Sequence, residues 1–247
     1  MKAIILAAGY ATRLYPLTLD KPKALLEIHG KPIINYIIDQ LEKIKDIDKI
    51  YVVSNGKFAE DFYDWQKTFT PKTPIEIIND GTTSDETKLG AIGNISFVIN
   101  EKNINEDTII IAGDNFFNFD LCDFYDFYKT NQKDCVVCGT IDEPERLIHF
   151  GVALIDQNNK ITQMVEKSQN PPSNTVTYAI YIYKKDSIGK IQTYLAEGNS
   201  PDAPGNFVSW LHKKQDVLAY TMNGQCFDIG TLEGYNQVQD MEDLWKQ

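Results

Sequence analysis

One segment near the N-terminus of this 247-residue chain restricts its fold more than any other. Lys2 to Leu26 reads KAIILAAGYATRLYPLTLDKPKALL. The apolar run Ala3-Ile4-Ile5-Leu6 predicts a short buried strand. It passes directly into small residues, Ala7, Ala8 and Gly9, then Ala11 and Thr12. Small side chains let backbone N–H groups approach an anion closely. Arg13 and Lys23 add two cations beside that loop. Lys23 is boxed between Pro22 and the apolar run Ala24-Leu25-Leu26, which gives it a defined direction. Strand, small-residue loop and paired cations together suit a polyphosphate.

The rest of the first half keeps a β-α rhythm. Strands are predicted at Ile50–Val53, Ile75–Ile78 and Thr108–Ala112. Helices are predicted over Pro32–Lys45, with an isoleucine-rich stripe, over Phe58–Phe69 and over Leu89–Ile99. Such alternation implies an α/β fold with a Rossmann-like, mostly parallel sheet flanked by helices. The second half is richer in strands, at Asp134–Ile141, Val152–Ile155, Ile161–Val165 and Thr175–Tyr183. Gly198–Asn206 reads as a loop and Thr231–Trp245 as a closing helix. We therefore expect one domain over 1–247. Residues up to about 120 would form a nucleotide-binding half, and about 121–247 a β-rich acceptor-binding half. Ligands of open α/β sheets gather at the carboxyl ends of strands, which places Gly9–Arg13, Asp80–Gly81 and Asp114 around one mouth.

Composition narrows the partners. The net charge of −11 argues against a nucleic-acid partner and makes anionic substrates costly without local cations or a metal. No run of about 18 apolar residues predicts a membrane helix, and the chain reads as cytoplasmic. Cys135 and Cys138 have zinc-ligand spacing, but positions three apart on a strand face opposite sides. No second pair completes a zinc site, so buried structural thiols are expected. No G-x-G-x-x-G follows the first strand, which argues against a dinucleotide oxidoreductase.

Two further motifs carry chemistry. Gly113-Asp114-Asn115 puts a carboxylate just past the buried run Ile109–Ile111, where it suits Mg²⁺ or a turn cap. Phe227-Asp228-Ile229-Gly230-Thr231 puts another just before a helix, where Asp is also a common cap.

The order Leu6-Ala7-Ala8-Gly9, Thr12-Arg13-Leu14, Pro16-Leu17-Thr18 and Pro22-Lys23 resembles the signature of the sugar-1-phosphate nucleotidyltransferases, or nucleotide-sugar pyrophosphorylases. Its look is that of short glucose-1-phosphate thymidylyltransferase-like members, and the later motifs follow in family order. The resemblance implies that Arg13 and Lys23 are catalytic. It implies nucleotide binding by Leu6, Ala8, Gly9, Ala11, Thr12, Asp80, Gly81, Gly90 and Asp114. Acceptor binding falls to Asn115, Gly151, Glu166, Lys167, Tyr178 and Ala179, and Mg²⁺ to Asp114 and Asp228. The expected substrates are a nucleoside triphosphate, dTTP or UTP, and a phosphorylated acceptor, glucose-1-phosphate. A homo-oligomer is compatible with this reading.

Three departures stand out. Ala11 replaces the second glycine of the family loop, implying that this position does not need positive φ. Asp80 replaces the base-reading glutamine, and an acceptor-only carboxylate cannot reproduce an amide. Gly90 is expected to allow close approach to the base. Tyr178-Ala179 replaces the usual Thr-Gly of the sugar pocket. The alternatives are a cytidylyltransferase of a non-sugar phosphate and a catalytically silent regulatory subunit that binds nucleotide sugars.

Overall fold

The computed structural model describes residues 1–241, apart from the side chain of Asp228. In chain order the first half runs β1 (Lys2–Leu6), β2 (Glu27–Ile28), β3 (Lys31–Pro32), α1 (Ile33–Leu41), β4 (Lys49–Ser54), α2 (Ala59–Gln66), β5 (Ile75–Asn79), α3 (Ala91–Lys102), β6 (Thr108–Ala112) and β7 (Asn115–Phe117). The second half adds α4 (Leu121–Asn131), β8 (Asp134–Thr140), α5 (Pro144–Leu147), β9 (Gly151–Ile155), β10 (Ile161–Glu166), β11 (Thr175–Tyr183), α6 (Lys185–Ala196), α7 (Gly205–Leu211), β12 (Val217–Thr221), β13 (Cys226–Asp228) and α8 (Leu232–Gln239).

β5, β4, β1 and β6 lie side by side and parallel. β11 joins β6 antiparallel, and β9, β10, β8 and β12 extend the sheet to nine strands among the described residues. The parallel strands thus step outward from β1 to β4 and β5 on one side, then jump to β6 on the other. The chain reverses direction across the sheet between β1 and β6. That gap is where an open α/β sheet leaves a crevice for a ligand.

Alternating side chains explain why the sheet is buried on both faces. Ala3, Ile5, Ile109 and Ile111 pack on one face with α1, α2 and α4. Ile4 and Ile110 pack on the other with α3, α6 and α7. The α1 stripe, Ile34, Ile37, Ile38 and Leu41, is fully shielded from water. Cys135 and Cys138 also fall on opposite faces, both buried. Burial pushes the Cys138 thiol up to about 12, so both behave as packing groups.

The predicted strands of the first half stand with small boundary shifts, α1 and α2 are shorter than their predicted spans, and α3 starts later than predicted and runs on to Lys102. The Thr231–Trp245 helix spans Leu232–Gln239, and its last residues from 242 onward lie outside the described residues. The helices α4, α6 and α7, the strand β12 and the small β7–β13 ladder have no counterpart in the sequence reading.

Candidate active site

The loop after β1 is built by its own small residues. Ala7 N–H donates to Val53 O at 2.9 Å, and Asn55 Nδ2 donates to Ala8 O at 2.9 Å, fixing the entry. A Cβ at Gly9 would meet nothing within 4 Å, so that backbone is open to a ligand. Ala11 corrects the sequence reading. Its φ is +49°, in the left-handed region. Its carbonyl accepts from Leu14 N–H (2.9 Å) and from the buried Thr18 hydroxyl (2.8 Å), which holds it there. A left-handed alanine costs about 1–2 kcal/mol, and those contacts outweigh it.

Thr12–Leu14 and Lys23–Leu25 are single 3₁₀ turns. Arg13 is exposed at the rim. Ala24 and Leu25 are buried, which anchors Lys23 and points it inward. Lys23 Nζ lies 2.7 Å from Asp114 Oδ2 across the β1–β6 gap. The two strands close up there because Gly113 N–H donates to Leu6 O at 2.8 Å, and a Cβ at Gly113 would sit 3.0 Å from that oxygen. Asn115 is buried and donates Nδ2 to Ala179 O at 3.1 Å, tying β7 to β11. The β8 register of β11 shifts between Thr177 and Tyr181, around Tyr178 and Ala179.

These residues line one cleft of about 490 Å³. It brings together Leu6, Ala8, Gly9, Ala11, Thr12, Arg13, Lys23, Gly90, Asp114, Asn115, Gly151, Glu166, Lys167, Tyr178 and Ala179. Asp80 and Gly81 are the exceptions, a second correction. They stand at the end of β5 behind the wall, where Asp80 is held by Thr82 rather than lining the cleft. The same β5–α3 segment reaches the cleft only further on, at Asp85, Lys88 and Gly90.

The sequence reading missed Tyr10, Asn94 and the stretch Asp202–Gly205, all of which line the cleft. Asn94 had a readable signal, since it is a polar residue on the buried stripe of α3, between Ile92 and Ile95. The 202–205 stretch had none, because its position depends on docking. Pro201 O and Asp202 O accept from the first free N–H groups of α3, Ile92 at 2.8 Å and Ala91 at 2.9 Å. Gly90 is what allows this. Its φ is +77°, and a Cβ there would lie 2.5 Å from Pro201 O. That side of Gly90 therefore packs on protein.

At the other end, Glu166 projects between two glycines. A Cβ at Gly205 would lie 1.9 Å from Glu166 Oε2, and one at Gly151 would lie 2.7 Å from it. Burial pushes the Glu166 carboxyl up, and Lys167 beside it pulls the other way. Lys167 has φ +49° and donates its N–H to Phe150 O at 2.9 Å. Two non-glycine residues in the left-handed region, Ala11 and Lys167, thus border the same cleft. Strain of this kind collects at functional sites.

Asp114 lies in the turn just before β7, the strand that pairs with β13 and so with the backbone of Asp228. Asp228 pairs in register with Asn115, and Ile229 N–H donates to Asp114 O at 3.3 Å. The Asp228 side chain lies outside what is described. Among the described residues no group of three metal-ligating side chains occurs. Mg²⁺ needs fewer, because it binds through one or two carboxylates plus phosphate oxygens and water. The half-exposed Asp114 carboxylate in a phosphate-sized cleft fits that requirement.

A family model described as "Nucleotidyl transferase" matches residues 2–243. The chain belongs to the nucleotidyl transferase family. Over 240 residues it is 34% identical to a Sulfolobus acidocaldarius protein named "Putative mannose-1-phosphate guanyltransferase", covering 96% of this chain and 62% of that one. It is 30% identical over 184 residues to the UTP–glucose-1-phosphate uridylyltransferase AglF of Haloferax volcanii, covering 74% and 72%. The chain spans about half to three-fifths of the length of the first curated relatives it matches. A solved UDP-glucose pyrophosphorylase complexed with UDP-glucose superposes with a TM-score of 0.83 at 21% identity, covering 98% of both chains. That likeness confirms the α/β architecture. No helix of the described residues is long and apolar enough to cross a membrane.

Proposed function

We propose that this nucleotidyl transferase joins a nucleoside triphosphate to a sugar-1-phosphate, giving a nucleotide sugar and pyrophosphate. The observation that carries the reading is the meeting of Lys23 with Asp114 at the β1–β6 gap, in a cleft that also holds Arg13 and Lys167. A set of cations in one cleft suits the charge the reaction develops. The sugar-phosphate oxygen forms a bond to the α-phosphorus as the bond from that phosphorus to the pyrophosphate oxygen breaks. A phosphate is already a competent nucleophile, so the protein positions and neutralises rather than attacks.

The open backbone of Gly9 to Thr12 would hold the triphosphate, with Arg13 on the departing pyrophosphate. Lys23 would meet the α-phosphate and Lys167 the incoming phosphate. Glu166 would accept from sugar hydroxyls, with Tyr178 and Ala179 as the pocket floor. Asp114 and Asp228 would hold Mg²⁺, which when bound screens the repulsion between the two polyanions. Residues 1–120 would then serve the nucleotide and 121–247 the acceptor, within one domain. A cytoplasmic location follows from the substrates. A hexose-1-phosphate acceptor, glucose- or mannose-1-phosphate, is favoured by the names of the relatives.

The test is pyrophosphate release with Mg²⁺, crossing dTTP, UTP, CTP, GTP and ATP with glucose-, galactose- and mannose-1-phosphate and with non-sugar phosphates. Release with a hexose-1-phosphate supports the reading. Release only with a non-sugar phosphate overturns the acceptor, and no release from folded protein overturns the activity.

A further inference from the structure

Space, rather than backbone conformation, requires a glycine at position 205. Gly205 opens α7, and its φ is not positive. A Cβ there would lie 1.9 Å from Glu166 Oε2 and 3.0 Å from Glu166 Cδ. A Cβ at Gly151, on the neighbouring strand β9, would lie 2.7 Å from the same oxygen and 2.5 Å from Thr177 Oγ1. Met164 Cε closes the notch, 2.9 Å from the added carbon at Gly151 and 3.3 Å from that at Gly205. What remains open is the cleft, which Gly151, Glu166, Thr177 and Gly205 all line.

The two sides of this notch are not equally free to move. Buried Phe207, Val208 and Leu211 anchor α7. The Phe207 ring stands 5.2 Å from that of Tyr183 and 5.5 Å from that of Tyr194. Ser209 donates its hydroxyl to Met164 O at 2.8 Å, which ties α7 to β10, the strand that carries Glu166. The Glu166 carboxylate is held differently. Among the described residues no hydrogen bond reaches it, and burial and the charge of Lys167 are what act on it. Packing alone sets its place, at the end of a flexible side chain. A methyl at Gly205 would therefore move the carboxylate and not the helix.

We infer that Gly205 is a positioning residue for the acceptor: the space it leaves lodges the Glu166 carboxylate in the cleft wall, so that the carboxylate borders the volume of the sugar without entering it. The inference rests on the sugar-1-phosphate reading above. Rigid packing on the wall side fixes where the two oxygens stand, and the acceptor supplies the donors that a carboxylate takes. A carboxylate pushed off Gly205 would occupy room the sugar needs and carry its negative charge toward the incoming phosphate. A misplacement of about 1 Å can cost about 10²-fold. The acceptor therefore depends on Gly205, while the triphosphate, bound at the other end of the cleft, does not.

The test is equilibrium binding of glucose-1-phosphate and mannose-1-phosphate, and separately of UTP and GTP with Mg²⁺. It compares the wild-type protein, Gly205→Ala, Glu166→Ala and the double variant. Gly205→Ala should bind the hexose-1-phosphates about ten-fold or more weakly, with triphosphate affinity and melting temperature close to those of the wild type. In the Glu166→Ala background the same methyl should cost nothing further, which a merely structural role would not produce. Unchanged hexose-1-phosphate affinity in Gly205→Ala overturns the inference. So does an equal loss in both backgrounds, or a parallel loss of triphosphate affinity. A Gly205→Ala protein that fails to fold also overturns it, since the helix would then have given way instead of the carboxylate. A wild type that binds triphosphate but neither sugar phosphate removes the acceptor assignment together with the inference. Binding is read without turnover, so a protein that binds both ligands and releases no pyrophosphate would overturn the reaction and leave the role of Gly205 measurable.

Discussion

Lys23 and Glu166 show how single side chains are prepared for work. Lys23 is held between a proline and a buried run, and its ammonium is fixed on Asp114 before any substrate arrives. Removing a group that contacts developing charge typically costs about 10²–10³ in rate. Lys23→Ala should lower kcat by about that factor with the circular dichroism spectrum unchanged. Near-normal turnover would remove Lys23 from the mechanism. Glu166 is the opposite case, a carboxyl kept out of water between Gly151 and Gly205. Its raised value means the folded protein binds that proton more tightly than the unfolded chain does. Stability is therefore lost as pH rises from the ordinary carboxyl range, about 4.3, through the raised value. Glu166→Gln should melt at a higher temperature than wild type near neutral pH, with the gap closing as pH falls to about 4. A gap that does not narrow on acidification would mean the carboxyl is not the cause. Lys23 was legible in the sequence because Pro22 and Ala24 flank it. The confinement of Glu166 was not, because Gly205 is distant in sequence.

At the scale of elements, the parallel strands were legible because their apolar runs are continuous and bounded by turn residues. Helices α4 and α6 were not. Their faces mix aromatic, polar and charged residues, and only packing on the sheet selects which side is buried. Ala11 failed for a local reason. Composition cannot show that a carbonyl must turn to meet both Leu14 and Thr18. Asp80 was placed wrongly for a similar one, since Thr82 turns back on its carboxylate and only the later part of the β5–α3 segment, at Asp85, Lys88 and Gly90, reaches the cleft. The junction of α3 with the segment before α7 is the element-scale feature most open to test. Gly90→Ala adds a left-handed strain and drives a methyl into the Pro201 carbonyl. We expect a loss of stability on the order of 3 kcal/mol, measured by urea unfolding. A loss below about 0.5 kcal/mol would mean that the segment gives way at no cost.

The whole molecule carries a net charge of −11, and its cleft is lined by four cations, Arg13, Lys23, Lys88 and Lys167, and by four carboxylates, Asp85, Asp114, Glu166 and Asp202. The cations can pair with phosphate, but they do not make the cleft positive overall. They leave a role for a divalent ion, so chelation with EDTA should lower turnover by about 100-fold or more, and Mg²⁺ should restore it. Full activity in the chelator would mean the side-chain cations suffice.

One wall of the cleft has a thermodynamic meaning. The stretch from Pro201 to Gly205 caps α3 at the nucleotide end and abuts Glu166 at the acceptor end. A ligand that steadies either end steadies a surface the other ligand also uses. Whatever factor the triphosphate adds to the affinity for the sugar phosphate, the sugar phosphate must add to the affinity for the triphosphate.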